Sequence, residues 1–205
     1  MAIYQTITLT IKMGALNSVY EGIQKSFATG KYGEMQGCWF CDIGTLNQVM
    51  VLTKHADGNG AMAAAKAINL EDAHLGCQEF ITDFSIDHYQ MFPCLPEDIT
   101  TGEFGKYYEI RYYGIKLGAV QATIDAWEKA VPNRAKVSHL VGAMYSLDNR
   151  APKFMNIWPY KTLDERNAAR AKAVADGVWP PVGGPANLTH MQSGIWLPAP
   201  FSPLR

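Results

Sequence analysis

The stretch Ile11-Lys12-Met13-Gly14-Ala15 returns 104 residues later as Ile115-Lys116-Leu117-Gly118-Ala119. Further along the offset becomes 105, so that Gly37 finds Gly142, Met50 finds Met155, and Met91-Phe92-Pro93 finds Trp196-Leu197-Pro198. A single inserted residue therefore relates two halves of one chain. A period of this length is too long for a solenoid repeat and suits a duplicated small domain. Each half should carry the same fold, with boundaries at residues 1–97 and 98–205.

Before the first repeated motif, residues 2–11 alternate in period two, with Ile3, Gln5, Ile7 and Leu9 on one face and Tyr4, Thr6 and Thr8 on the other, the pattern of a strand. After Gly14, the residues Leu16, Tyr20, Ile23 and Phe27 recur at helical spacing until Gly30 and Gly33 stop the helix. Strands over 36–43 and 47–55, an Ala-rich helix over 60–68, a short helix capped by Asn69 and a strand over 82–92 complete the first half. The second half repeats the order with strands 106–116, 137–147, 152–160 and 188–197 and helices 119–131 and 163–175. Thr162-Leu163-Asp164-Glu165 is a capping box, in which hydroxyl and carboxylate each accept from a free amide at the helix start. The prolines of 93–102 mark an irregular linker, and those of 198–203 a tail that is neither helix nor inner strand.

A βαββαβ order predicts an α+β fold: a four-stranded antiparallel sheet with both helices on one face, the ferredoxin-like arrangement. The other face then needs cover. Two tandem units packed sheet to sheet would supply it, as an α+β barrel closed within one chain.

Composition excludes several function classes. With 48% hydrophobic and 18% charged residues the chain reads as an ordinary globular protein. It lacks a signal-peptide pattern and any segment of roughly 20 apolar residues, so no membrane span and a cytoplasmic location are expected. The net charge of −1 divides unevenly: residues 1–104 hold 5 basic against 12 acidic side chains, residues 105–205 hold 13 against 7, and all six arginines fall in the second half. Two complementary halves would explain the split, and so would an anion site in the second, since Arg best matches carboxylate or phosphate. Basic residues form no runs and are not in excess, which argues against a nucleic-acid partner.

The first strand of the second half carries the most suggestive chemistry. Glu109, Arg111 and Tyr113 share one face, and Tyr108, Ile110 and Tyr112 the other. If the apolar set packs on the helices, Glu109 and Arg111 point into the barrel, where charges are costly to desolvate. One reading is a structural Glu–Arg pair; the other is a pocket in which Arg111 grips an anionic ligand. Tyr113, Asn156, Trp158 and Trp196 would line that pocket, with Phe154 and Tyr160 on the same strand face as Asn156 and Trp158. The first half has the uncharged Gln5 and Ile7 at the corresponding positions, so this pocket is expected once per chain. Arg166 and Arg170 sit one helical turn apart and read as solvated surface, or as partners for carboxylates of the acidic first half. Glu109 and His55 are the candidate catalytic acid and base. His55 ends the third strand of the first half opposite Tyr160 of the second.

Other motifs carry less. Cys38-Trp39-Phe40-Cys41 is a Cys-x-x-Cys, but in a strand residues three apart point to opposite faces, so neither a disulfide nor a redox site is expected. Cys77, Cys94 and His88 add no ligand spacing, and no metal site is expected. No phosphate loop or Ser-His-Asp order is present, and no cofactor is called for.

The second half strongly resembles the NIPSNAP family. The resemblance rests on Tyr107-Tyr108-Glu109-Ile110-Arg111-Tyr112-Tyr113 with Lys116 and Gly118, Trp127, Val141-Gly142, Asn156-Ile157-Trp158-Pro159-Tyr160, Leu163, Arg166, Arg170, Trp179, and Met191-Gln192-Ser193 through Pro203. In the first half Gly37 to Val49 looks like the family's central hairpin. At the matching hairpin the second half has Asn149-Arg150-Ala151-Pro152 in place of the family's Gly-x-Leu-Asn, so the two cavities should differ. The resemblance implies a dimeric α+β barrel fold and supplies no catalytic residues. Two functions stay open. One is a barrel that binds a small, partly apolar anion, with cofactor-free oxygenation, isomerisation or proton transfer as one form. The other is a non-catalytic binding or protein-interaction module. A homo-oligomer is compatible with either.

Overall fold

The structure, a computed structural model, describes residues 1–148 and 151–205. Asn149 and Arg150, where the second hairpin departs from the family pattern, lie outside the described residues. The chain divides into two compact units, the first comprising 1–88, 101–103 and 196–205 and the second 89–100 and 104–195. Each unit has the βαββαβ order, and the fold is α+β and ferredoxin-like.

In the first unit, β1 (Ile3–Ile11), α1 (Leu16–Phe27), β2 (Glu34–Ile43), β3 (Gln48–His55), α2 (Gly58–Leu70), a one-turn α3 (Ala73–Gly76) and β4 (Ile81–Met91, which enters the second unit after His88) follow in order. Strand β3 lies antiparallel between β1 and β2. Strand β4 flanks β1, its start held by Lys12 N–H donating to the Phe80 carbonyl at 2.8 Å. The order β4-β1-β3-β2 is the one a split βαββαβ produces. Ile7, Leu9, Val49 and Val51 pack against Val19 and Ile23 of α1 and Ala64 and Ile68 of α2 in one buried core.

The short helix after Asn69 takes another form. Asn69 is not a cap: its side chain donates to the Ala65 carbonyl at 2.8 Å, one turn back, and α2 runs on to Leu70. The following turn then winds left-handed, with φ of 45°, 55° and 62° at Ala73, His74 and Leu75, a conformation costing roughly 1–2 kcal/mol per non-glycine residue. Leu75 and Cys77 are fully buried in the core and hold it.

The second unit contains β5 (Tyr107–Ile115), α4 (Val120–Arg134), β6 (Gly142–Ser146), β7 (Lys153–Tyr160), α5 (Leu163–Ala175) and β8 (Leu188–Pro198, of which the unit holds the part up to Ile195). Strand β7 lies between β5 and β6, and Tyr89–Met91 pairs with the other side of β6. The strand expected from residue 137 starts only at Gly142, and Pro159 supplies the reason. The β6–β7 register places Gly142 opposite Ile157, and Val141 N–H also donates to the Ile157 carbonyl at 3.0 Å; two residues further along β7, Pro159 has no N–H with which to extend the ladder. At the start of α5, the Thr162 hydroxyl accepts from Glu165 N–H at 3.0 Å, as a capping box requires. The Glu165 carboxylate reaches one residue further than expected and accepts from Lys161 N–H at 2.7 Å.

Candidate functional site

Strand β5 decides the site, because both of its faces are buried: Tyr108 and Ile110 on one, Glu109 and Tyr113 on the other. The antiparallel register sets Tyr107 opposite Tyr160, Glu109 opposite Trp158, Arg111 opposite Asn156 and Tyr113 opposite Phe154. Directly opposed residues share a face, so the sequence correctly grouped these side chains. It assigned them to the wrong side. Tyr113, Phe154, Trp158 and Tyr160 pack with Ile124, Trp127 and Val131 of α4 and Ala169 of α5. The Glu109–Arg111 face is thus the helix-facing side of the sheet, and the cavity under it lies between sheet and helices. The apolar set Tyr108 and Ile110 occupies the opposite face.

Helix α5 makes this placement affordable. Arg166 and Arg170, one turn apart, both turn toward Glu109. Arg166 is largely buried and Arg170 half-exposed, and both partner Glu109 of their own unit rather than carboxylates of the first half. Glu109 Oε1 accepts from Arg166 Nη2, from Arg111 Nη2 at 2.7 Å and from Ser193 Oγ at 2.9 Å, and Arg170 Nη1 stands 3.8 Å away. Burial by itself would raise the Glu109 pKa; the hydrogen bond from Arg166 and the charge and hydrogen bond of Arg111 outweigh it and hold the carboxyl below its usual range. Arg111 also donates from Nη1 to the Tyr113 hydroxyl at 2.6 Å.

A cavity of about 40 Å³ opens beside this cluster, lined by Glu109, Arg111, Trp158, Tyr160, Arg170, Trp179 and two residues not singled out from the sequence, Arg134 and Val174. Arg134 ends α4, and its guanidinium lies over the Trp158 ring at 4.3 Å and the Trp179 ring at 5.7 Å. The Trp158 ring is oriented by its own Nε1, which donates to Asn156 Oδ1 at 2.7 Å. Trp179 meets Trp127 edge-on at 5.0 Å and Trp158 at 5.9 Å. Arg134 is only 3% exposed. It donates from Nη1 to Ser138 Oγ at 2.6 Å and forms no ion pair among the described residues, while its Nε has no hydrogen-bond partner. The Tyr160 hydroxyl, also on the cavity wall, is buried without a partner as well. The only sequence sign of Arg134 was the concentration of arginine in the second half.

The structure therefore brings Glu109, Arg111 and Trp158 to one pocket, with Tyr113 and Asn156 behind its wall as hydrogen-bond partners. Trp196 and His55 belong to the first unit and do not line it. His55 is buried, its Nε2 3.0 Å from Thr53 Oγ1, and burial together with the nearby His88 lowers its pKa. Gln5, the counterpart of Glu109, is fully buried and donates to the carbonyl of Ala61, the counterpart of Arg166, at 3.1 Å. Equivalent places in the two units thus hold a neutral hydrogen bond and a charged cluster. The four cysteines are free thiols. Burial pushes the Cys38 thiol far up and those of Cys41 and Cys77 to about 11. Among the described residues, no group of three or more His, Cys, Asp or Glu side chains is placed to hold a metal ion, and no helix is long and apolar enough to cross a membrane.

Fold and site define an α+β protein of two ferredoxin-like units, the second bearing an arginine-rich pocket between its sheet and helices. The sequence profile of the NIPSNAP family matches residues 108–203, and the Dictyostelium discoideum protein NipSnap homolog is 24% identical over 212 residues, covering 96% of this chain and 87% of its own. The second half of the chain is a NIPSNAP-family domain. Its fold is shared along nearly the whole length with an anthrone oxidase-like protein, at a TM-score of 0.67 and 11% identity over 97% of this chain and 91% of the other. A provisionally assigned monooxygenase from Lactobacillus acidophilus is similar to the same extent, at 0.65 and 12% identity over 96% and 93%.

Proposed function

We propose that the protein binds a small molecule through a negatively charged group seated in the second unit, between Arg111, Arg134 and Arg170. The observation that carries this reading is Arg134, a guanidinium buried on the cavity wall with no counter-ion. An isolated buried charge is expensive, and a guanidinium cannot escape by losing its proton. An anionic guest would supply the missing charge.

The volume sets the size of the group. A cavity of about 40 Å³ has room for a few heavy atoms, whereas whole drug-sized ligands occupy roughly 300–1,000 Å³. The charged end of the ligand therefore fits inside and its remainder lies at the mouth, beside the 62% exposed Val174 and the half-exposed Arg170. Val174 and Trp179 there suit a partly apolar body.

Binding is favoured over acid–base catalysis. A general base works best with a pKa near the operating pH, and Glu109 is held below the ordinary carboxylate range by its guanidinium partners. It acts here as the internal counter-ion that organises the arginines. His55 is not on the cavity wall. Melting the protein with increasing acetate, sulfate or phosphate tests the reading: at least one anion should raise Tm in a saturable way, and Arg134→Met should abolish the rise. Saturable binding that is unchanged in Arg134→Met would place the ligand elsewhere.

A further inference from the structure

We infer that the pocket selects a doubly charged tetrahedral oxyanion, the phosphate monoester dianion being the biological form, over a monoanionic carboxylate. This inference rests on the anion-binding reading above and adds the charge and shape of the bound group. Three guanidiniums, those of Arg111, Arg166 and Arg170, converge on one carboxylate, Glu109, and a fourth, that of Arg134, lines the same cavity. Glu109 is shared by three of them and reaches none of the charge on Arg134. Three positive charges remain in excess. A carboxylate guest would leave two uncompensated in a partly buried site; a dianion leaves one, carried by Arg170, which is 42% exposed and screened by solvent.

The hydrogen-bond inventory agrees. The cavity wall presents buried donors without partners in Arg111 Nε, Arg134 Nε and the Tyr160 hydroxyl, beside the outward groups of Arg170. They come from β5, α4, β7 and α5, so they surround a guest from several directions instead of lying in one plane. A carboxylate is planar and offers about four lone-pair sites. A phosphate monoester offers three strongly accepting terminal oxygens in a tetrahedral array and carries about −1.5 to −2 charge at neutral pH. The ester oxygen would face the mouth, where the substituent can lie along Val174 and Trp179.

Titration calorimetry on the full chain separates the possibilities, with sulfate (tetrahedral, doubly charged), methanesulfonate (tetrahedral, singly charged), acetate (planar, singly charged), inorganic phosphate and butyl phosphate as probes. Sulfate and phosphate should bind at least about tenfold more tightly than methanesulfonate and acetate, a difference equal to one decade in Kd. Arg134→Met should weaken both dianions by at least about tenfold, and Arg170→Met, at a half-exposed position, should do so by less. Tighter binding of butyl phosphate than of inorganic phosphate assigns the site to esters; the reverse assigns it to free phosphate. Acetate binding as well as sulfate would overturn the selectivity while leaving the anion site standing. Failure of every probe would overturn the anion site itself.

Discussion

Replacing Glu109 by Gln tests the electrostatic core of the site most directly. The substitution keeps the shape and one acceptor oxygen but removes the charge that three guanidiniums share. At 1% exposure the carboxylate receives almost no help from solvent, so the effect needs no discount for screening. Removing one partner of a buried ion pair costs about 3–5 kcal/mol. The oxygen retained by Gln places the expected loss near the lower end, about 3 kcal/mol. For a chain of this size each kcal/mol is worth about 2–4 °C, so Tm at neutral pH should fall by about 6–12 °C. The pH dependence carries a sign of its own. Because the folded-state pKa of Glu109 is depressed, its stabilisation is fully present above the unfolded value of about 4.3 and is lost as pH falls through the folded value. The gap between wild type and Glu109→Gln should therefore be constant from pH 8 to about 5 and close in stronger acid. Sulfate should restore part of the loss, by about 2.7 kcal/mol at a hundredfold excess over Kd. Urea unfolding across that pH range measures all three. A variant within about 0.5 kcal/mol of wild type at pH 7 would show that the arginines do not depend on Glu109.

Three further outcomes are expected. Gly37 and Gly142 hold equivalent register positions, opposite Leu52 and Ile157, but meet different neighbours: a Cβ at Gly37 would lie 2.0 Å from the fully buried Trp39 ring, whereas at Gly142 it would meet the flexible end of Met91 at 3.1 Å. Gly37→Ala should cost about 1–3 kcal/mol or more and Gly142→Ala clearly less, and equal denaturation midpoints would refute the distinction. Thr162→Ala removes the side-chain cap of α5 and should cost about 1 kcal/mol in urea unfolding; no change would mean that Glu165 alone holds that helix start. With a thiol reagent under native conditions, the partly exposed Cys94 should react first and the buried Cys38 and Cys77 only on unfolding. Early loss of Cys38 would contradict its burial.

Most of the secondary structure was legible along the chain because local rules produce it. Period-two and helical apolar spacing placed β1, α1 and β5, and the Thr162 box placed the start of α5 to the residue. The misreadings occurred where a partner decides. The strand expected from 137 stops short because Pro159, on a neighbouring strand, cannot donate to it. Asn69 looks like a cap and is instead an interior residue bonded one turn back. In the site, pairing on β5 and β7 was readable from alternation, since residues two apart must share a face.

Which face that is could not be read. On β5 the apolar residues Tyr108 and Ile110 alternate with Glu109 and Arg111, and on β7 large apolar residues occupy both faces, with Met155 and Ile157 against Phe154 and Trp158. Hydrophobicity then assigns the charged set to the side away from the helices. The opposite outcome holds because Arg166 and Arg170 of α5 reach Glu109 from more than 50 residues along the chain and neutralise it. Arg134 joined the site in the same way, carried to the rings of Trp158 and Trp179 by the end of α4. Sequence by itself determined the duplication, the order of elements and the surplus of arginine in the second half, since these follow from repetition, periodicity and composition. Only the tertiary structure decided where those charges meet, because a buried ion's preferred face is set by the partners that compensate its desolvation, and they are distant in sequence.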